Sequence, residues 1–306
     1  MKKHLFVLLA LSIVFYSCQN DDGSSNTETD PISQPTDTIP TPDSDPDPQP
    51  DPYPNPNTPD PLNFEPYFQD SFDSYEDGRS LSRFDPFDAA GNTSVSSEQS
   101  YSGDFSAKME IRPENDGGFG TWGGIVPINP AIPKGGEVWT RLRVFWPESF
   151  EFSASPWMKF LRFHNRTGDG ANGGYNDLYI HNADGPTSVL RCIKEFHNQW
   201  EVYDGNPIPR DTWETYEMYL FVDDVSVDNG GNARMRIWRD GELIFDRTDV
   251  PTITDAQGVI ESFYLFTYWN NENPPNNFLY VDDLVIATHA NPPINTDAEG
   301  NAFIGN

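Results

Sequence analysis

The chain has little cysteine and little positive charge. Of its 306 residues two are cysteine, Cys18 and Cys192, and 19 are Lys or Arg against 48 Asp or Glu, for a formal net charge of −29. Two distant cysteines cannot build the staple framework of a disulfide-rich domain. The acidic balance excludes general nucleic-acid binding. No segment keeps helical periodicity over three turns, which excludes a helix bundle. There is no 40-residue repeat of the kind that marks a propeller. The H-E-x-x-H zinc motif, the serine nucleophile elbow and the phosphate-cradling glycine loop are all missing. The one marked apolar run, Leu5 to Tyr16, is too short to span a bilayer comfortably.

That run follows two lysines and ends in Ser17-Cys18, the layout of a secretory signal. The string FYSC resembles a bacterial lipobox, which implies residues 1–18 as a signal and Cys18 as a lipidated residue held by outer-membrane lipid. The following QNDDG resembles the acidic sorting signal of Bacteroidetes-type surface lipoproteins, which implies a cell-exterior location. Residues 19–62 hold 12 Pro and 10 acidic residues and no Lys or Arg. Such a chain buries no core and is expected to be a disordered, self-repelling tether. With Cys18 lipidated, Cys192 has no partner. In the alternating run SVLRCIKEF it reads as a buried small hydrophobe.

Residues 63–306 are expected to form one domain with 38 acidic and 17 basic residues. Short runs rich in β-branched and aromatic residues follow one another, among them VWTRLRVFW, WMKFLRFH, DLYIHN, TYEMYLFVD and SFYLFTYW. Gly, Pro, Asn or Asp clusters separate them, and Asp240-Gly241 marks a hairpin turn. Ten or more antiparallel strands without repeats predict an all-β, two-sheet jelly-roll sandwich. The concave face of one sheet would form a groove.

Positive charge is gathered on one strand, where Lys159, Arg162, His164 and Arg166 fall within eight residues. Strict alternation puts Met158, Phe160, Arg162 and His164 on one face and Trp157, Lys159, Leu161 and Phe163 on the other. Leu161 and Phe163 as a core pair would turn Arg162 and His164 toward the groove. DLYIHN is cleaner, with Tyr179 and His181 opposite Leu178 and Ile180. SVLRCIKEF groups Leu190, Cys192 and Lys194, and SFYLFTYWNN ends in Tyr268 and Trp269 near an expected groove mouth. The cationic cluster suits an anionic polysaccharide, since Arg offers a planar fork to carboxylate or sulfate. Pairing with surface Asp and Glu is the alternative.

The opening DSFDSYEDGRSL and SYSGDFSAKMEI, the middle EVWTRLRVFWPESFEF and WMKFLRFHN, and the close NNFLYVDDLVIA resemble concanavalin A-like jelly-roll polysaccharide lyases related to heparin and glucuronan lyases. The resemblance implies β-elimination on a uronic-acid glycan. It assigns Arg162 as neutraliser, His164 or His181 as base, and Tyr179 or Tyr268 as acid, with Lys194, Arg166 and Trp269 in substrate binding. It also implies a structural calcium between the first and last strands, at Asp73 or Glu76 and Asp282 or Asp283. The E-x-D-x-x-E string of a retaining glycosidase of this fold is missing, and so is the alginate-lyase Q-(I/V)-H; YIHN is only a partial echo. A non-catalytic surface glycan-binding protein serving an uptake system is the rival reading. A laminin-G-like adhesin is a third.

Overall fold

The computed structural model describes residues 62–81, 88–89, 92–111, 123–152, 157–181, 189–197, 199–266 and 277–305. Cys18, the apolar leader, most of the Pro- and Asp-rich stretch, Tyr268 and Trp269 lie outside the described residues. Helix amounts to 3% of the chain. Among the described residues it is confined to two short 3-10 turns, Glu195–His197 and Val227–Asn229.

Two antiparallel sheets pack as a sandwich, as the alternating runs predict. The nine-stranded sheet contains β1 (Phe68–Asp70), β2 (Ser80–Leu81), β4 (Thr93–Ser96), β5 (Ser106–Ile111) and β7 (Glu137–Phe145). It also contains β12 (Trp213–Phe221), β13 (Arg234–Arg239), β14 (Glu242–Arg247) and β16 (Asn277–Thr288). The seven-stranded sheet contains β3 (Asp88–Ala89), β6 (Gly124–Pro133), β8 (Trp157–Arg166), β9 (Asn172–His181), β10 (Val189–Lys194), β11 (Gln199–Val202) and β15 (Val259–Leu265). Its spatial order is β11-β10-β9-β8-β15-β6-β3. A small hairpin of β17 (Asn295–Thr296) and β18 (Ala302–Phe303) follows.

The core lies between the sheets, because each strand turns its apolar side inward. Leu142 and Val144 of β7 and Met218 and Leu220 of β12 join one buried cluster with Phe163, Leu178, Ile180 and Phe263. At one end Trp146 is fully buried, with Phe150, Phe152, Phe160 and Phe266 at ring distances of 5.0 to 5.7 Å. The predicted turn joins β13 to β14. Asp240 and Gly241 both adopt positive φ, 50° and 81°, the backbone a two-residue hairpin of matching twist requires.

Strict alternation fails on β8. Its pairing with β9 shifts between Lys159 and Leu161, and Phe160 and Leu161, adjacent in sequence, are both fully buried in the core. The bulge inserts one residue and reverses the faces beyond it. Lys159 therefore shares the outer face with Arg162 and His164, whereas Met158 and Phe160 point inward.

Candidate active site

The outer face of the seven-stranded sheet collects charged and aromatic side chains because Phe160, Leu161, Phe163, Leu178, Ile180, Leu190 and Cys192 fill its inner face. Antiparallel register sets these outer groups in rungs across the strands. In one rung Lys159 of β8 is opposite Tyr179 of β9, which is opposite Arg191 of β10. In the next, Tyr264 of β15 is opposite Arg162, which is opposite Asp177. A third sets Ser262 opposite His164 and His164 opposite Tyr175.

The first rung joins a lysine to a tyrosine. Lys159 Nζ donates a hydrogen bond to the Tyr179 hydroxyl. Both residues are only 4% exposed. Burial pushes the Lys159 ammonium down to about 8, with Asp177 pulling it up and Arg162 pushing it further down. On the other side of Tyr179, Arg191 Nη2 lies 3.4 Å from His181 Nδ1. A weakly basic amine, a phenol and a guanidinium thus stand side by side: a proton acceptor, a proton donor and a carboxylate partner.

The chain is similar in fold to alginate lyase Aly36B. The TM-score is 0.53 at 13% identity, over 72% of this chain and 95% of that one. A double mutant of the same enzyme in complex with alginate tetrasaccharide gives 0.51 at 14% identity, again over 72% and 95%. An endo-β-1,4-glucuronan lyase from the fungus Trichoderma reesei gives 0.48 at 14% identity over 73% and 95%. No family model matches the chain, and no curated protein matches its sequence. At these identities the likeness to Aly36B is one of fold.

Arg162 and His164 share this face with Lys159 and Tyr179, but their polar atoms are turned to the protein. Arg162 is 1% exposed. Its Nε donates to Asp177, its Nη2 lies 3.4 Å from Glu195, and its guanidinium stacks 3.6 Å from the Tyr175 ring. That fork is already filled, so Arg162 organises the site rather than receiving a substrate carboxylate. Burial raises the Glu195 carboxyl above its ordinary range, with Asp177 adding to the shift, and burial also raises the Tyr175 hydroxyl.

His164 is held at both ring nitrogens. Nδ1 is 2.8 Å from Glu261 Oε1 and Nε2 is 3.0 Å from Asn172 Oδ1. Asn172 Oδ1 also accepts the Gly174 N–H at 2.9 Å, which fixes that amide's orientation. Both ring nitrogens face oxygens of the protein. To act as the expected base, His164 would first have to release one of these two contacts. The ring instead packs between Tyr175 and Tyr264, at 4.6 and 5.8 Å. Arg166, at the rim, bonds to Glu261 and donates to the Gly170 carbonyl at 3.0 Å.

Lys194 is not brought to the outer face. It lies on the inner side with Leu190 and Cys192, is 1% exposed, and donates to Asn176 Oδ1. Its position in the alternating run already grouped it with those two apolar residues. Tyr268 and Trp269 fall outside the described residues.

The carboxylates expected to hold calcium are met by donors of the protein itself. Asp282 Oδ2 accepts the Tyr101 and Ser102 N–H groups at 2.8 and 3.1 Å, and its Oδ1 the Asp283 N–H at 2.7 Å. Asp283 Oδ1 accepts the Ser102 hydroxyl at 2.9 Å. Asp73 Oδ1 accepts the Asp104 and Phe105 N–H groups. Among the described residues no three His, Cys, Asp or Glu side chains form a metal-binding group. A calcium cage needs six to eight oxygens, carbonyls among them, and the Asp282 and Asp283 oxygens named here already accept protein N–H and O–H groups.

Sequence reasoning missed Lys159, which strict alternation placed on the opposite face. A signal was present, because the adjacent apolar pair Phe160-Leu161 breaks an otherwise alternating run, as a bulge does.

Proposed function

We propose that the chain is a polysaccharide lyase that cleaves a uronic-acid-containing glycan by β-elimination on the outer face of the seven-stranded sheet. The observation that carries this reading is the Lys159–Tyr179 hydrogen bond in one rung with Arg191. The fold shared with an alginate lyase supports it.

Arg191 pairs with the uronate carboxylate and stabilises the charge that develops there. The neutral Lys159 amine takes the proton alpha to that carboxylate. The electron pair forms the C4–C5 double bond, and the C4–O bond breaks. Tyr179 gives its phenolic proton to the departing oxygen. Through their hydrogen bond the Lys159 ammonium then returns a proton to the tyrosinate, and the pair is restored without solvent. In this scheme Arg162 takes the role of holding Asp177 and Tyr175 in place.

A second reading, a surface glycan-binding protein without catalysis, is favoured by burial. Lys159, Arg162, His164 and Tyr179 are each 5% exposed or less, so a substrate must displace neighbours to reach them. In either reading Cys18 would anchor the chain in outer-membrane lipid, and the acidic tether would carry the domain toward the exterior. The test is incubation with alginate, glucuronan, heparin and pectin. Ultraviolet absorbance of unsaturated uronate should rise with one of them and stay flat for Tyr179→Phe. Gel retardation by a glycan with no absorbance rise would assign the binding role.

A further inference from the structure

The seven-stranded sheet carries an exposed aromatic residue on the same face as the candidate active site. Trp200 of β11 is 53% exposed. Its face is set by Arg191. Leu190 and Cys192 lie in the core, so Arg191 points outward, and its guanidinium lies 4.2 Å above the Trp200 ring. Arg191 is thus bracketed by His181 on one side and Trp200 on the other.

The spacing suits a glycan. Trp200 lies on the second strand beyond Tyr179, in the order β9, β10, β11. Trp200 is opposite Ile193, two residues along from the Tyr179–Arg191–Val202 rung, so strands about 4.8 Å apart and a rise of about 3.4 Å per residue place it roughly 12 Å from the Tyr179 backbone. One strand spacing is close to the length of one pyranose unit in an extended chain. A glycan laid across the strands would put the reacting uronate at Tyr179 and Arg191 and bring a ring further along onto the indole. An indole face suits the C–H face of a sugar. Arg191, stacked on one face of the indole, adds positive charge between the two positions, in a domain where such charge is scarce.

We infer that Trp200 is a distal stacking subsite for the uronate chain, setting the substrate length at which binding becomes strong. The inference rests on the lyase reading for what happens at Tyr179, but not for the binding itself.

The test compares the intact protein with Trp200→Ala and Trp200→Phe on alginate and glucuronan, as polymers and as a graded series of oligouronates. For long substrates Trp200→Ala should raise KM on the order of tenfold, the equivalent of one aromatic stacking contact, with kcat nearly unchanged. The shortest cleaved oligomers should show no change, and Trp200→Phe should recover most of the loss. Equal loss at every length, or no loss at any, overturns the subsite. Affinity electrophoresis in the same polymers reads binding apart from turnover. If the parent protein is retarded, makes no unsaturated product, and loses its retardation on Trp200→Ala, the lyase reading falls and the subsite stands. If Trp200→Ala is retarded like the parent, or the parent is not retarded at all, the subsite falls whatever the turnover.

Discussion

Phe160 and Leu161 are consecutive on one strand, and both point into the core. The bulge between Lys159 and Leu161 that permits this also brings Lys159 onto the face of Arg162 and His164. Leu161 is fully buried, so Leu161→Ala removes core packing and leaves a cavity. Urea denaturation should show a loss of about 2–5 kcal/mol. Near-ultraviolet circular dichroism should report disturbed aromatic packing around Phe160 and Trp146.

The Lys159–Tyr179 pair sets a pH dependence. In the proposed scheme the neutral amine is the working form of Lys159, whose ammonium burial pushes down to about 8. In this scheme kcat/KM is therefore small below neutrality, rises as the pH passes about 8, and levels off above it. Tyr179→Phe and Lys159→Met should each lower turnover by about 10²–10⁴-fold, the usual worth of a general acid or base. A profile that falls with rising pH through this range would exclude Lys159 as the base.

Asp177 is the counter-charge of a buried arginine. Asp177→Asn leaves the Arg162 guanidinium with Glu195, 3.4 Å away, as its remaining carboxylate among the contacts described above. Breaking a buried pair from one side costs about 3–5 kcal/mol. Differential scanning calorimetry should show the loss as a lower Tm. Asp177 also pulls the Lys159 ammonium upward, so in Asp177→Asn the rising limb of kcat/KM should move to lower pH. A purely structural role would change Tm and leave the limb in place.

Cys192 is a packing residue. It is fully buried, and burial pushes its thiol up to about 12. The thiolate is the reactive form, so the native domain should resist a water-soluble disulfide reagent at neutral pH. Labelling should become complete on adding denaturant. Rapid labelling of the folded protein would contradict this placement.

Much of the sandwich can be read in the sequence because a sheet covered on one side writes a period of two. The face carrying Tyr179 and His181 follows directly from Leu178 and Ile180, and the hairpin follows from Asp240-Gly241. The candidate site was harder to read for two physical reasons. A bulge changes which residues are neighbours without changing composition, so Lys159 was assigned to the wrong face. The charge on Lys194 suggested an exposed role, although its position in the run and its bond to Asn176 place it inside. Hydrogen-bond partners were beyond sequence reach altogether. Nothing in the local string says that Arg162 faces Asp177, or that His164 is held by Glu261 and Asn172.

The seven-stranded sheet ends at β11, a strand of four residues, all of them exposed. A sheet margin is where another copy of the chain could zip on by backbone pairing. Here the margin is short, and Glu201, on the opposite side of the strand from Trp200, lies 3.6 Å from Arg247. A Trp200 presented to solvent for sugar would otherwise be an adhesive spot between molecules. With four residues of backbone to pair, this border offers a second copy few hydrogen bonds on which to build.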